Sequence, residues 1–301
     1  MRKLVYILQA VIFLTAFYSC NGEDNLDADI HDPNAFFEPK PSAQDEESAI
    51  RRQFKEKYGS YLLFNDTIQK NFLGFDINGD SVFKVETLSI DYTIGQAAYA
   101  NNAYTYLYLS TIEEKKAAVD FLEQYVLGHV TNKLMPYSWM LCSQINYDDG
   151  SQHPYAAAGQ RCIVVATGLV ARLRTEAQKK QYVDRILNMI LGTLVMNNYD
   201  AFSEFLNVSK GYYGIAITAS SDEVLRNYAR QHGFVDIVNG LFNTTTPTEE
   251  EDLKLFCTYL LNFNDEYMES TFKDYPLVLR KWDLFKQVIY DLGFRNKDFQ
   301  L

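Results

Sequence analysis

The sequence is poor in side chains that bind transition metals or act as nucleophiles. It has four histidines, His31, His129, His153 and His232, and no two of them stand within four positions of each other. No H-E-x-x-H motif and no C-x-x-C pair is present, which excludes the usual sequence signatures of zinc sites. The chain also lacks a G-x-S-x-G nucleophile elbow, a phosphate-binding G-x-x-x-x-G-K loop and a dinucleotide fingerprint. These absences predict no catalytic residue, no bound metal and no cofactor.

Predicted helix ends account for two of the histidines and for the densest acidic cluster. His129 and His232 each follow a predicted helix, where the macrodipole favours a cation, so we expect capping or surface residues. The run Glu249-Glu-Glu-Asp252 stands at a predicted helix start, where carboxylates favour the dipole and face water. We prefer this interpretation of the run to a pair of glycosidase carboxylates.

Positive charge is also in short supply. The chain has 28 Lys and Arg residues against 39 Asp and Glu residues, which gives a net charge of −11. This balance argues against nucleic acid as a partner, because binding phosphates requires clustered Lys and Arg. It argues equally against a charge-driven contact with an anionic membrane.

Cysteine is too scarce to frame the fold with disulfides. Apart from Cys20, the chain has Cys142, Cys162 and Cys257, an odd number that cannot be fully paired within one chain. Cys142 and Cys162 both lie in apolar, strand-like runs, where free cysteines are commonly buried. We expect buried thiols there rather than a disulfide between the two.

The N-terminus carries a secretory signal that ends at a cysteine. Arg2 and Lys3 precede an almost wholly apolar run from Leu4 to Phe17, which is too short to span a bilayer comfortably. Cys20 at the cleavage point resembles the lipobox of bacterial lipoproteins, whose cysteine takes a diacylglyceryl group. We predict a signal peptide over 1–19 and a lipid anchor at Cys20 that holds the protein to the outer membrane, at the cell surface. The alternative is an ordinary secretory signal cut near Cys20.

An acidic segment follows the cysteine. Residues 21–41 contain six Asp and Glu residues and three prolines, a composition that cannot bury enough apolar surface to fold. We predict a lipidated tether over 20–41, and its acidic start resembles the surface-export signal of Bacteroidetes lipoproteins. The alternative is a solvated linker that does not direct export to the cell surface.

Residues 42–301 form one predicted α+β domain, with strands in the first half and helices in the second. The expected elements are a helix from the cap Ser42-Ala-Gln-Asp45 to Tyr58, a strand at Tyr61–Phe64, a hairpin at Phe75–Phe83, a helix from Thr111 to Gly128, strands at Tyr137–Ile145 and Cys162–Thr167, a long helix at Glu176–Asn197, helices capped by Ser220 and Thr248, and a last helix from Pro276 to Gly293.

The hairpin turn has a second interpretation. Asp76, Asn78 and Asp80 match the start of a calcium-binding loop. Ser81 stands where that loop needs glycine, and Thr87 where it needs a bidentate glutamate. The Asn78-Gly79 pair is typical of a tight hairpin turn, so we favour the hairpin.

Alternating tyrosines provide a candidate ligand surface. Tyr104, Tyr106 and Tyr108 would share one face of a strand. Tyrosine offers a flat apolar ring with a polar tip, which suits binding to sugar rings or peptides. The alternative, which we favour, is that the row packs on the core.

From about Ser42 to Asn296 the chain resembles the zinc-binding metallopeptidase lipoproteins of Bacteroidetes, which accompany outer-membrane nutrient transporters and glycan-binding proteins. The resemblance lies in the acidic tether and in three segments: Tyr58-Gly-Ser-Tyr-Leu-Leu-Phe64, Gly159-Gln-Arg-Cys-Ile-Val164 and Phe202-Ser-Glu-Phe-Leu-Asn-Val-Ser-Lys-Gly-Tyr-Tyr213, together with a C-terminal helix starting near Tyr275-Pro276. It implies a zincin-like fold in which a small mixed sheet in the N-terminal half packs on a mainly helical C-terminal half.

The chain departs from that family where the chemistry should be. The helix that carries H-E-x-x-H in the family reads Ile186-Leu-Asn-Met-Ile-Leu-Gly-Thr-Leu-Val-Met196 here, which offers no zinc ligand. Glu251-Asp252-Leu253 is our candidate for the family's acidic third ligand, and alone it cannot form a site.

The resemblance therefore implies the fold and the cellular setting but not the reaction. We expect a non-catalytic accessory lipoprotein of a glycan or nutrient import system, which binds a glycan, a peptide or a transporter component. Two alternatives stay open: an active zinc metallopeptidase or hydrolase with an unrecognised site, and a purely structural accessory of an outer-membrane complex.

Overall fold

The computed structural model describes residues 37–88, 104–147, 154–159, 161–217, 221–237 and 245–296. These residues belong to one unit that spans Phe36–Leu301. The predicted signal peptide, Cys20, His31 and His153 lie outside the described residues. Among the residues that are described, no helix is long and apolar enough to cross a bilayer.

Eight strands are described. They are β1 Tyr61–Leu63, β2 Thr67–Phe75, β3 Ser81–Thr87, β4 Tyr104–Leu107, β5 Ser138–Cys142, β6 Gln144–Tyr147, β7 Ala156–Ala158 and β8 Cys162–Ala166. Eight α-helices are described as well. They are α1 Glu46–Tyr58, α2 Ile112–Phe121, α3 Glu176–Asn197, α4 Ser203–Val208, α5 Asp222–Gln231, α6 Glu249–Asn262, α7 Asp265–Phe272 and α8 Pro276–Leu292. All eight described strands end before α3 begins, and six of the eight described α-helices follow them, so the predicted α+β class is confirmed.

A four-stranded sheet lies at the centre of the described part. Its order is β1-β5-β8-β7, with β1, β5 and β8 parallel and β7 antiparallel to β8. Strands β5 and β8 are buried at every position because both faces of the sheet are covered, which explains their continuous apolar sequences. Two smaller ribbons, β2–β3 and β4–β6, are separate two-stranded sheets.

One face of the central sheet packs on the helices, and the other packs on the N-terminal segment and the β4–β6 ribbon. Trp139, Leu141 and Val165 lie in the core that includes α3, α6 and α8. Met140 and Val164 belong to the core on the opposite face, together with Phe37 and Ile145. Phe37 is buried, so the folded part begins before residue 42 and includes the end of the predicted tether.

Local capping signals in the sequence fix several helix ends. Asp45 caps α1, and Thr111 and Thr248 form capping boxes with Glu114 and Glu251, as the sequence predicts. Pro276 opens α8. Gly293 ends α8 at a φ of 107°, a backbone conformation that glycine tolerates and other residues rarely adopt.

Three boundaries differ from the expectation. The cap of α5 is Ser221 rather than Ser220, because Ser221 accepts the amide hydrogen bond of Val224. After Phe121 the helix continues as a π-helical turn, Leu122–Val126, and a 3-10 turn, Leu127–His129. The single strand expected at Tyr137–Ile145 is two strands, because β5 joins the central sheet and β6 pairs with β4.

The three described cysteines are buried free thiols. Cys142 pairs with Ala166 and Cys162 pairs with Ser138, so these two cysteines stand at opposite ends of the paired strands. This register keeps the two sulfurs apart. Burial raises the pKa of all three thiols to about 12, so they are protonated and unreactive at neutral pH.

Candidate functional site

The long helix α3 presents apolar side chains where the family resemblance implies metal ligands. Ile186, Leu187, Ile190 and Leu191 are all buried in the helical core. Among the residues that the structure describes, no group of three or more His, Cys, Asp and Glu side chains could hold a metal ion. The described part of α3 is therefore a packing element.

The acidic residue expected at the third-ligand position is bound to a lysine. Asp252 lies in the first turn of α6 and Lys281 in α8, and both side chains are 0% exposed. The Lys281 ammonium contacts Oδ2 of Asp252 and donates to Oγ of Ser209 at 2.9 Å. The Tyr213 hydroxyl donates to the same Asp252 oxygen at 3.1 Å. Asp252 therefore faces a cation that the chain itself supplies.

Aromatic rings enclose the lysine end of this pair. The Lys281 Nζ atom lies 4.3 Å from the ring centre of Phe205, 4.9 Å from that of Phe234 and 5.5 Å from that of Phe256. Rings at such distances attract a cation through their electron-rich faces. Both charged side chains are fully buried, so the pair joins α6 to α8 inside the helical core.

Burial shifts the pKa values of Asp252 and Lys281 in opposite directions. It raises the pKa of Asp252 to about 6, although the positive charge of Lys281 opposes that shift. It lowers the pKa of Lys281, although Asp252 opposes that shift too. Within the described part, Oδ1 of Asp252 has no hydrogen-bond partner, so the carboxylate is only half satisfied. Such a pair costs more desolvation energy than a surface ion pair.

Lys281 is not among the residues predicted from the sequence, although the sequence contains a signal for it. Val278, Trp282, Phe285 and Ile289 form the buried stripe of α8, and Lys281 falls on the same side of the helix. A lysine on an apolar stripe indicates a buried carboxylate elsewhere in the chain. The sequence does not show which carboxylate it is.

The two described histidines are structural. His232 caps α5, so the capping prediction is confirmed, and its ring centre lies 4.0 Å from that of Tyr212 and 4.3 Å from that of Tyr228. His129 is buried rather than exposed, which corrects the surface interpretation for that residue. Its Nδ1 atom lies 2.9 Å from the carbonyl oxygen of Arg295, where its ring stacks on Phe294.

The tyrosine row divides between core and surface. Tyr104 and Tyr106 lie on one face of β4, are half-buried and pack against the core that contains Met140. Tyr108 follows the end of the strand, and its hydroxyl donates to Oδ1 of Asp66 at 2.6 Å. Partial burial raises the pKa of Tyr108 to about 12. A ligand-binding role for the three tyrosines stays a prediction.

The β2–β3 hairpin carries the most exposed apolar surface that is described. Phe72, Phe75, Phe83 and Val85, here called the aromatic face, are between 42% and 70% exposed. Opposite residues in the ribbon are Phe72 with Phe83 and Phe75 with Ser81, which places all four on one side. Leu73, at the bulge next to Phe72, adds to this exposed surface.

Ring contacts hold the aromatic face together. The Phe72 ring lies 5.2 Å from that of Phe75 and 5.6 Å from that of Phe83. The ammonium of Lys70 lies 4.4 Å from the centre of the Phe83 ring. The face is therefore an ordered aromatic cluster with a positive charge at its base.

The tip of the hairpin is both apolar and negatively charged. The backbone amides of Asn78 and Asp80 donate to the Asp76 carboxylate at 2.8 Å each. These hydrogen bonds hold the pKa of Asp76 below its usual range, so the carboxylate is ionised at neutral pH. Ile77 is fully exposed beside it. The acidic residues therefore build the turn, as the hairpin interpretation predicts.

Comparison with known proteins gives little further information. No protein-family model matches the chain. No curated protein matches it either. A solved structure described as "a putative zinc-binding metallo-peptidase from Bacteroides caccae" is 14% identical, with a TM-score of 0.43 over 83% of this chain and 87% of that chain. This likeness is too distant to support an argument about function.

Proposed function

We propose that the protein is a non-catalytic accessory lipoprotein that binds another protein through the aromatic face of its β2–β3 hairpin. Cys20 would anchor it in the outer membrane, where it would serve a glycan or nutrient import system. The exposed aromatic face is the observation that carries this proposal. The anchor and the import setting rest on the sequence alone.

The energetics of the hairpin favour a binding role. A two-stranded hairpin without further packing is marginally stable in water. Large contiguous apolar patches on a monomer mark interaction sites. Phe72, Phe75 and Phe83 expose a large part of their rings to water. Covering them would stabilise both the hairpin and the complex.

The chemistry of the face favours a protein over a glycan. Its members are Phe72, Phe75, Phe83 and Val85, none of which carries a polar tip. Sugar binding pairs aromatic stacking with hydrogen bonds, which tyrosine can supply and phenylalanine cannot. An apolar patch on another protein has the same character as this face.

The charged tip argues against insertion into lipid. Asp76 is ionised and stands next to Ile77, so immersing the tip would bring a carboxylate into hydrocarbon. Charged side chains are expensive at that depth. A protein surface can instead meet the carboxylate with a basic group.

The Lys281–Asp252 pair supports the non-catalytic part of the proposal. Asp252 is held by Lys281 and Tyr213, and the side chains of Asp252 and Lys281 are fully buried. Binding a metal at Asp252 would require removing the lysine and opening the aromatic enclosure. The Asp252 carboxylate is therefore part of the packed core.

Photo-crosslinking in intact cells tests the proposed function. Phe75 is replaced by p-benzoylphenylalanine, which keeps an aromatic ring on the face, and the same replacement at Tyr267 provides a control. Tyr267 is about as exposed as Phe83 but lies on α7. We expect a discrete protein adduct from position 75 and none from position 267. The absence of a protein adduct at position 75 would contradict the proposal.

A further inference from the structure

We propose that the groove between α1 and α2 binds a small organic cation, an ammonium group carried on an unbranched apolar chain. None of the residues that line this groove belongs to the β2–β3 hairpin, so the site is independent of the proposed function. A cavity in the groove and the order of charges along the two helices point to this ligand.

The groove between α1 and α2 opens into a cavity of about 340 Å³. Its apolar lining consists of Ile50, Phe54 and Val119, and the last two are part of the buried core. Its polar lining consists of Gln53, Lys57, Lys116, Asp120 and Glu123. Pockets that take small ligands start at about 300 Å³ and combine an apolar lining with a few polar groups. The cavity therefore suits a small, mostly apolar ligand.

Ion pairs between the two sides of the groove stand at both of its ends. At one end, Lys116 of α2 binds Glu46 of α1 at 2.8 Å. At the other end, Lys57 of α1 binds Glu123 at 2.9 Å. Glu123 belongs to the π-helical turn that follows α2, and turns of this kind are rare and frequently found at functional sites. These four charges therefore balance one another across the groove.

Asp120 is the charged group of this lining that has no partner within the described part of the chain. It lies one turn after Lys116 on α2, but the Lys116 ammonium is bound to Glu46 instead. On α1, the cavity lining between the two ion pairs is uncharged and consists of Ile50, Gln53 and Phe54. The row of ion pairs across the groove thus has a carboxylate in its middle with no cation opposite.

This order of charges selects a cation with an apolar body. A ligand ammonium would meet the Asp120 carboxylate while its hydrocarbon chain covers Ile50 and Phe54. An anion would face that carboxylate and would find both lysines already bound to glutamates. The α1 segment from Glu46 to Lys57 is about 16 Å long, which leaves room for a chain of about five carbons.

Titration with n-pentylammonium, followed through the backbone amide NMR signals of the full chain, tests the site. The matched neutral and anionic probes are 1-pentanol and pentanoate. We expect n-pentylammonium to shift the signals of α1 and α2 saturably and to bind at least about fivefold more tightly than either of the other probes. Equal binding of n-pentylammonium and 1-pentanol, or shifts confined to other elements, would overturn the proposal.

Asp120→Asn removes the carboxylate and keeps the shape of the side chain. This variant should bind n-pentylammonium about fivefold to tenfold more weakly than the wild type, because the charge-assisted hydrogen bond is lost. Asp274→Asn is the matched control, since Asp274 is an exposed aspartate that follows α7 and does not line the groove. It should bind as the wild type does. Unchanged binding by Asp120→Asn would overturn the proposal.

Gln53→Lys supplies the missing cation from the chain itself. Gln53 is exposed and lines the same cavity as Asp120, so a lysine at position 53 can pair with that carboxylate. We expect this variant to bind n-pentylammonium at least about fivefold more weakly than the wild type. Gln181→Lys, at an exposed position of α3, makes the same change in net charge and should leave binding unchanged. Binding by Gln53→Lys as tight as that of the wild type would show that the carboxylate does not hold the ligand.

Discussion

Lys281 and Asp252 form an ion pair in which both side chains are fully buried. The ammonium of Lys281 is bound by Asp252 and Ser209 and enclosed by the rings of Phe205, Phe234 and Phe256. Breaking a buried pair leaves one uncompensated charge, whereas replacing both partners with apolar groups of similar size is often neutral. The free energy of unfolding should therefore respond very differently to single and double substitutions.

We expect Asp252→Asn and Lys281→Met each to lower the free energy of unfolding by about 3–5 kcal/mol. The double variant Asp252→Leu/Lys281→Met should lose much less than the sum of the single losses, because neither charge is left alone. Urea unfolding of the four proteins measures the difference. The exposed pair Lys254–Glu250 is the control, and Lys254→Met should change stability by no more than about 0.5 kcal/mol. Additive losses at Asp252 and Lys281 would contradict the account.

The same pair predicts an unusual pH dependence. Burial raises the pKa of Asp252 from its ordinary value of 3.8 to about 6, so the folded state holds this proton more tightly than the unfolded state. The contribution of this proton to the free energy of unfolding is therefore present below about pH 4 and is lost as the pH rises through 6. Ordinary surface carboxylates act in the opposite direction, so the effect is measured against a variant without the pair.

The difference in unfolding free energy between the wild type and Asp252→Leu/Lys281→Met should become less favourable to the wild type between pH 4 and pH 6. The change should be about 1–3 kcal/mol. Urea unfolding at several pH values gives this difference directly. A difference that stays flat over the range would show that Asp252 does not titrate as its burial requires.

Metal analysis tests the absence of a zinc site. We expect the purified protein to hold no stoichiometric zinc after dialysis against a weak chelator, and to hydrolyse no peptide when zinc is added back. The reason is that α3 offers apolar side chains and Lys281 holds Asp252. One tightly bound zinc per chain would favour the alternative of an active metallopeptidase.

Substitutions in the tyrosine row distinguish a role in core packing from a role in ligand binding. Tyr106 is half-buried against the core on the outer face of the sheet, so Tyr106→Ala should lower the free energy of unfolding by about 1–3 kcal/mol. Tyr108→Phe removes only the hydrogen bond to Asp66 and should cost about 1 kcal/mol or less. If Tyr106→Ala weakened glycan or peptide binding without changing stability, the row would be a contact surface after all.

The sequence predicts the features of this fold that depend on near neighbours. The caps at Asp45, Thr111 and Thr248 and the turn at Asn78-Gly79 follow from residues within four positions of each other. The helix α3 is predicted from Glu176 to Asn197 and observed over the same span, because its cap and its apolar period agree.

Features that depend on residues far apart in the chain cannot be predicted from the sequence in the same way. Asp252 and Lys281 are separated by 29 positions, and only the packing of α6 against α8 brings them together. The hairpin differs again, since alternation shows which residues share the aromatic face but not whether the chain covers it. Phe72 and Phe83 would look the same in sequence if they were buried.

The central claim is that the aromatic face contacts another molecule rather than the rest of its own chain. The most direct test places the photo-crosslinker at Ile77 and combines it with Phe75→Ser/Phe83→Ser. We expect the protein adduct to disappear while the thermal unfolding midpoint stays within a few degrees of the wild type, because the rings removed are already exposed. An unchanged adduct, or a collapse of the unfolding midpoint, would contradict the claim.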